Sequence, residues 1–168
     1  MLKKTFGITV ASIILATTGL NIQAEDAPMS VTVKRLTLET AERVAQATIE
    51  ECRKQGYQVS VTVVDRNGIP QVMLRDSLGP PVSISISKDK AYTAANFTAS
   101  SGQLDRLKDS PLFYRDGLAT MPGGLLIEAG GQIYGAVGVS GAPGGEIDES
   151  CAKAGVAAIT EDLEMGDL

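Results

Sequence analysis

The segment YQVSVTVVDRNGIPQVMLRD, residues 57–76, carries the strongest structural signal in the chain. Val59, Val61 and Val63 alternate with polar residues, which predicts a strand with one buried face. DRNGIP follows, and its central Asn67–Gly68 suits the tight turn of a β-hairpin. QVMLR then returns as the second strand. The plan recurs in GGLLIEAGGQIYGAVGVSG (123–141), where Leu125 to Glu128 and Ile133 to Val139 read as strands and Gly130–Gly131 as the turn.

Helical segments alternate with these hairpins. A short extended lead-in, SVTVKRL (30–36), precedes TLETAERVAQATIEECRKQG (37–56). There Thr37 can cap the start, and Leu38, Ala41, Val44, Ala45, Thr48, Ile49 and Cys52 recur at three- and four-residue intervals. Arg53 and Lys54 suit the last turn, and Gly56 the left-handed position after it. The Ala-rich stretch around KAYTAANF predicts a helix from Ser83 to Ala99. SGQLDRLKDSPLFYRDGL (101–118) reads as short helical turns, with Ser110–Pro111 as a helix start. EIDESCAKAGVAAITEDL (146–163) is an amphipathic helix whose first turn carries Glu146, Asp148 and Glu149. Hairpins alternating with helices indicate an α+β layer fold with an antiparallel sheet.

Composition narrows the chemistry. The chain has 168 residues, a formal net charge of −5 and no histidine. Serine or cysteine nucleophiles activated by histidine are therefore impossible within the chain, as is metal ligation by imidazole, and no metal site is expected. An acidic chain with 4% aromatics and no Trp is a poor binder of nucleic acid. The start has the three-part layout of a secretory signal peptide: basic MLKK, an apolar run from Thr5 to Leu20, and NIQA before EDAPMS. The run is shorter than the roughly 20 apolar residues of a spanning helix, so no stable membrane anchor is expected. The expected plan is a leader over 1–24, a tail over 25–35 and a single domain over 36–168, in the periplasm or secreted. Export permits a disulfide, and Cys52 and Cys151 either pair or pack as two separate thiols.

Half of the 18 glycines fall between Gly123 and Gly145, yet no phosphate-binding fingerprint is complete. APGGEI places Glu146 where a phosphate loop has lysine, so an acid-capped helix after a tight turn is the expectation. GVSGA around Ser140 nearly matches a nucleophile elbow but lacks a histidine to activate the serine. Ser85/Lys88 and Ser87/Lys90 match Ser-x-x-Lys, without the elements that accompany it in acyl-enzymes. Nothing in the spacing selects the carboxylate pairs Asp65/Asp76 and Glu128/Asp148 over turn and cap roles.

VTVVDRNGIPQVMLRD, KAYTAANF, MPGGLLI and IYGAVGVSGAPGGEIDESCAKAG occur in this order. Together they resemble the GlcG/HbpS family of small haem-binding-like proteins, over about Leu36 to Leu163. The resemblance implies a profilin-like fold, an antiparallel sheet flanked by helices, assembling as dimers or larger symmetric rings. Functions in such a family are mixed: extracellular haem or iron binding with redox sensing, domains attached to corrinoid-handling enzymes, a lyase-like branch, and members beside glycolate metabolism.

The expectation is thus an exported protein that binds a small ligand, with haem or a related tetrapyrrole as candidate cofactor, forming a homo-oligomer. Its site is expected between the sheet and the KAYTA helix, closed by the loop before Gly123–Gly124. Lys90 and Thr93 on that helix, with Arg75 or Arg115, would meet ligand carboxylates, and Gly123 and Gly124 would admit close backbone approach. Where the haem-binding pattern leads one to expect histidine, this chain offers Tyr92, Tyr114 and Met121 as axial candidates, with Met73, Cys52 and Cys151 as further side chains of the right chemistry. The alternatives are a small-molecule enzyme using Lys90 or Tyr92 as acid–base groups in the same pocket, and an oligomer whose assembly is itself the function.

Overall fold

In the computed structural model, residues 28–166 are described; the leader expected over 1–24 lies outside them. Among the described residues, all regular elements belong to the unit that begins at Thr32. Helix α1 (Leu38–Lys54) starts as its sequence dictates: the Thr37 side chain accepts from the Thr40 N–H at 3.2 Å. The periodic stripe Ala41, Val44, Ala45, Thr48, Ile49 and Cys52 is buried, and Gly56 takes φ 86° beyond the helix end. No strand forms in the lead-in before α1, although Leu36 is buried and its carbonyl accepts from Gln71 Nε2 at 3.0 Å.

Strands β1 (Ser60–Asp65) and β2 (Pro70–Arg75) form the expected hairpin, and β3 (Gly124–Ala129) and β4 (Gln132–Ser140) the second. The four make one antiparallel sheet in the order β2-β1-β4-β3. The Asp65 carboxylate organises the first turn, accepting from the N–H groups of Asn67 (2.8 Å) and Ile69 (3.0 Å).

Strand β1 departs from the half-buried pattern its alternation predicts, because all six of its residues are buried. Both faces of the sheet are covered. Val61 and Val63 pack in the main core with α1 and α3 (Gly145–Gly166), while Val64 packs against Ala91, Ala94 and Ala95 of α2 (Ser83–Phe97). The polar members of the alternation are satisfied by hydroxyls of α2: Ser60 pairs with Ser83 at 2.8 Å and Thr62 with Ser87 at 2.9 Å. Alternation here separates a valine face from a hydroxyl face rather than core from solvent.

Helix α2 ends at Phe97, close to expectation, with Thr98 in the left-handed region at φ 48°. The following chain makes 3-10 turns at Ser101–Leu107 and Pro111–Tyr114, the second capped by Ser110. Helices α1 and α3 are joined by a disulfide between Cys52 and Cys151, with Cα atoms 5.4 Å apart. Gly155 lets them approach this closely, since a side chain there would collide with Thr48 Oγ1. Among the described residues, no helix is long and apolar enough to cross a membrane.

Candidate functional site

The motifs KAYTA, MPGG and GVSG…D converge in space, but on a packed interior. Lys90 is only 1% exposed. Its ammonium donates to Asp148 Oδ2 at 2.7 Å and to the Val139 carbonyl at 2.9 Å. Asp148 Oδ1 accepts from the Ala142 N–H at 3.1 Å, so one ion pair ties α2, the end of β4 and the start of α3 together. Burial pushes the Asp148 carboxyl above its ordinary range, opposed by the Lys90 ammonium and the Ala142 N–H. Asp148 is therefore not a solvated acid at a helix start, the role its position predicts.

The two glycines of MPGG belong to the same lock. A side chain on Gly123, at φ +118°, would meet Lys90 Nζ at 2.8 Å and the Val139 carbonyl at 2.9 Å. One on Gly124 would collide with the Lys90 carbonyl, and the Gly124 N–H is held by Ser101 Oγ at 2.8 Å. On β4, a side chain on Gly138 would collide with the Ser87 carbonyl. Helix α2 thus lies directly on the sheet, and the space expected to hold a ligand between them is filled.

The opening is on the other side of α2. A groove of about 440 Å³ runs between its outer face and the chain after Pro111, within the usual range for small-molecule sites. Lys88, Tyr92 and Asn96, at intervals of four, form one wall with Asp89 and Phe97; Leu112, Arg115, Asp116, Gly117 and Leu118 form the other. Thr93 sits behind the groove and holds it together. Its hydroxyl donates to the Asp89 carbonyl at 2.7 Å and accepts from the Ala119 N–H at 2.9 Å, pinning the far wall to α2. The β1–β2 turn reaches the same wall, where Gly68 faces the Tyr92 ring closely enough that a side chain would lie 2.7 Å from Tyr92 Cδ2. Burial raises the Asp89 carboxyl from its ordinary value, partly offset by neighbouring Lys88.

The residues singled out from sequence therefore divide into three groups. Tyr92 and Arg115 line the groove, and Thr93 supports it. Lys90, Gly123 and Gly124 form the buried lock. Arg75, Tyr114 and Met121 lie elsewhere. Arg75 donates to the Gly79 carbonyl at 2.7 Å, Tyr114 is 79% exposed with its ring edge-on to Phe113, and Met121 is exposed with its carbonyl bound by Ser101. Sequence reasoning missed Lys88, Asp89, Asn96 and Phe97. The signal was the four-residue spacing of Lys88, Tyr92 and Asn96, which puts them together on the exposed face of the helix. Among the described residues, no group of three or more histidine, cysteine or carboxylate side chains is placed to hold a metal ion.

Comparison with known proteins agrees with this architecture. The sequence model of the HbpS-like family, described as haem degrading protein HbpS-like, matches residues 36–157. GlcG of Escherichia coli K12 is 31% identical over 108 residues, covering 62% of this chain and 81% of that protein. A crystal structure of HbpS superposes with a TM-score of 0.73 at 38% identity, covering 81% of this chain and 98% of the other. A double mutant of HbpS from Streptomyces reticuli gives 0.73 at 35% identity, covering 90% and 99%. The family match across most of the chain, the GlcG relative and the shared four-stranded antiparallel sheet with flanking helices lead to one assignment: this chain belongs to the GlcG/HbpS-like family.

Proposed function

We propose that this is an exported small-ligand-binding protein that takes haem or a related tetrapyrrole into the groove on the outer face of α2, acting in binding or sensing. The observation that carries the reading is the make-up of the groove: aromatic and aliphatic walls from Tyr92, Phe97, Leu112 and Leu118, with two cations, Lys88 and Arg115, each followed in sequence by a carboxylate, Asp89 and Asp116. A flat apolar ligand with peripheral carboxylates matches that combination, since the ring buries apolar surface while guanidinium and ammonium groups form charge-assisted hydrogen bonds. The donor chemistry also fits. The chain has no histidine, and Tyr92 brings a phenol oxygen to the groove wall, a ligand type known for haem iron. Bound haem would supply an iron redox couple; the protein's part is to hold the ring and its carboxylates. The haem-directed description of the family supports the same ligand class.

Export is supported by the amino-terminal pattern and by the Cys52–Cys151 disulfide, a bond that persists in oxidising compartments. The alternative of an enzyme using Lys90 in the same pocket is weakened, because the Lys90 ammonium is enclosed and fully engaged by Asp148 and Val139. Titration of the purified protein with haemin tests the reading. A saturable Soret shift at micromolar haemin is expected, weakened in Tyr92→Phe and Arg115→Ala. Absence of any shift overturns it.

A further inference from the structure

Strand β2 ends the sheet on the side away from β3. The Asp76 N–H donates to the Val59 carbonyl at 2.9 Å, which sets the alternation along the strand. With the β1 register, the main-chain groups of Val72 and Leu74 face β1, and those of Met73 and Arg75 face outward. Among the described residues, the N–H and C=O of Met73 and Arg75 have no other hydrogen-bond partner. Open groups on alternate residues are what an added strand pairs with.

Helix α1 runs beside this edge in the same direction as β2. Leu36, just before α1, accepts from Gln71 near the start of β2, and Arg53 in the last turn binds Asp76 just past the strand's end. A groove of about 510 Å³ lies between them, lined by Leu74 and by Glu39, Glu42, Arg43 and Gln46 of the helix. Its charge is one-sided. The Arg43 guanidinium is engaged on α3, by Asp162 at 2.7 Å and the Ala158 carbonyl at 3.2 Å. Glu39 and Glu42 form no ion pair among the described residues. Glu39 sits in the first turn, where it offsets the positive helix end; Glu42 lies beyond that turn.

We propose that this edge takes an extended, basic segment of a partner protein as an added strand. Met73 and Arg75 would supply the main-chain bonds, and lysine or arginine on the α1 face of the segment would meet Glu39 and Glu42. Apolar stems beside those charges would cover Leu74. The Arg75 guanidinium is folded back on the Gly79 carbonyl at 2.7 Å, so it does not oppose a basic segment by pairing with its own flank. A second copy docked by the same edge would set two acidic flanks together, so charge selects a basic partner instead. The surface is separate from the groove on α2 and does not depend on the haem reading.

Fluorescence anisotropy of the purified protein with a short labelled peptide alternating valine and lysine tests it, against the valine–glutamate counterpart. The valine–lysine peptide should bind saturably, at least about tenfold more tightly than the acidic one, and more weakly as salt rises. E39K/E42K should abolish that preference. Met73→Pro deletes an outward N–H but no bond to β1, a substitution an edge strand tolerates, and it should weaken binding with the fold unchanged by circular dichroism. If Met73→Pro fails to fold, the valine–lysine peptide methylated on alternate backbone nitrogens decides, since it should no longer bind. Absence of binding by the valine–lysine peptide, or equal binding of the two peptides, overturns the proposal. So does binding that survives both Met73→Pro and backbone methylation of the peptide.

Discussion

Lys90→Met removes the cation from a carboxylate that stays enclosed. Asp148 is 3% exposed, and without Lys90 its hydrogen-bond partner among the described residues is the Ala142 N–H. The Val139 carbonyl loses its ammonium donor as well. Methionine has nearly the volume of the lysine stem, so the cavity contribution is small and the loss is electrostatic. Breaking one partner out of a buried pair costs about 3–5 kcal/mol, a large share of the roughly 5–15 kcal/mol that holds a domain folded. Replacing both partners, as Lys90→Met with Asp148→Leu, should recover much of it, because the uncompensated charge is gone. The pH dependence is a second signature. Burial already raises the folded-state pKa of Asp148, and Lys90 opposes it. Without Lys90 that pKa rises further above the unfolded value. The native state then binds the proton more tightly, so the variant gains stability relative to wild type as pH falls through the folded-state pKa, and loses it as pH rises. Urea denaturation at about pH 7 and about pH 5 should show the gap to wild type narrowing on acidification. A loss under about 1 kcal/mol at pH 7, or a gap that widens at pH 5, would refute the assignment of Lys90 and Asp148 as a structural lock.

Cys52→Ala with Cys151→Ala opens a link between residues 99 apart in sequence, and the chain-entropy estimate for such a loop is about 4–5 kcal/mol; equal denaturation midpoints with and without reductant would contradict this. Thr93→Val leaves the Ala119 N–H buried without its acceptor, costing about 1–3 kcal/mol, and should weaken haemin binding by loosening the groove wall. Arg53 donates twice to Asp76, at 2.6 and 2.9 Å, and holds its carboxyl below the usual value. That stabilisation is complete above the unfolded carboxyl pKa of about 3.9 and is lost as pH falls through the lower folded value. Asp76→Asn should therefore flatten the acid arm of the stability curve, and an unchanged arm would count against the pair.

Both hairpins, three helices and the 3-10 start at Ser110–Pro111 were legible in the sequence because their signals are local: an Asn-Gly turn, a Gly-Gly turn, and caps at Thr37 and Ser110. What escaped was pairing over long separations. Lys90 and Asp148 are 58 residues apart, and Asp148 at the start of a helix has an adequate local explanation as a dipole-compensating acid. Cys52 and Cys151 likewise show helical spacing individually but carry no signal of meeting. The space expected to hold a ligand between α2 and the sheet is filled for a related reason. Gly123 and Gly124 suggested backbone left open for a ligand, whereas what they admit is Lys90 of α2, its ammonium at Gly123 and its carbonyl at Gly124. The serines and threonine of the hydroxyl seam read as a solvent face although they bond to one another across a buried interface. Tyr92 and Arg115 were found by residue chemistry; Lys88 and Asn96 required the helix face to be traced outward.

The central claim is that the groove along Lys88, Tyr92 and Arg115 takes a haem-like ligand. Haemin titration of wild type alongside Tyr92→Phe/Arg115→Ala, followed at the Soret band, tests it most directly. The account predicts saturation near one equivalent per chain for wild type and an affinity at least about tenfold lower for the double variant, with its fold unchanged by circular dichroism. A wild type that produces no Soret shift, or a double variant that binds as tightly as wild type, would contradict it.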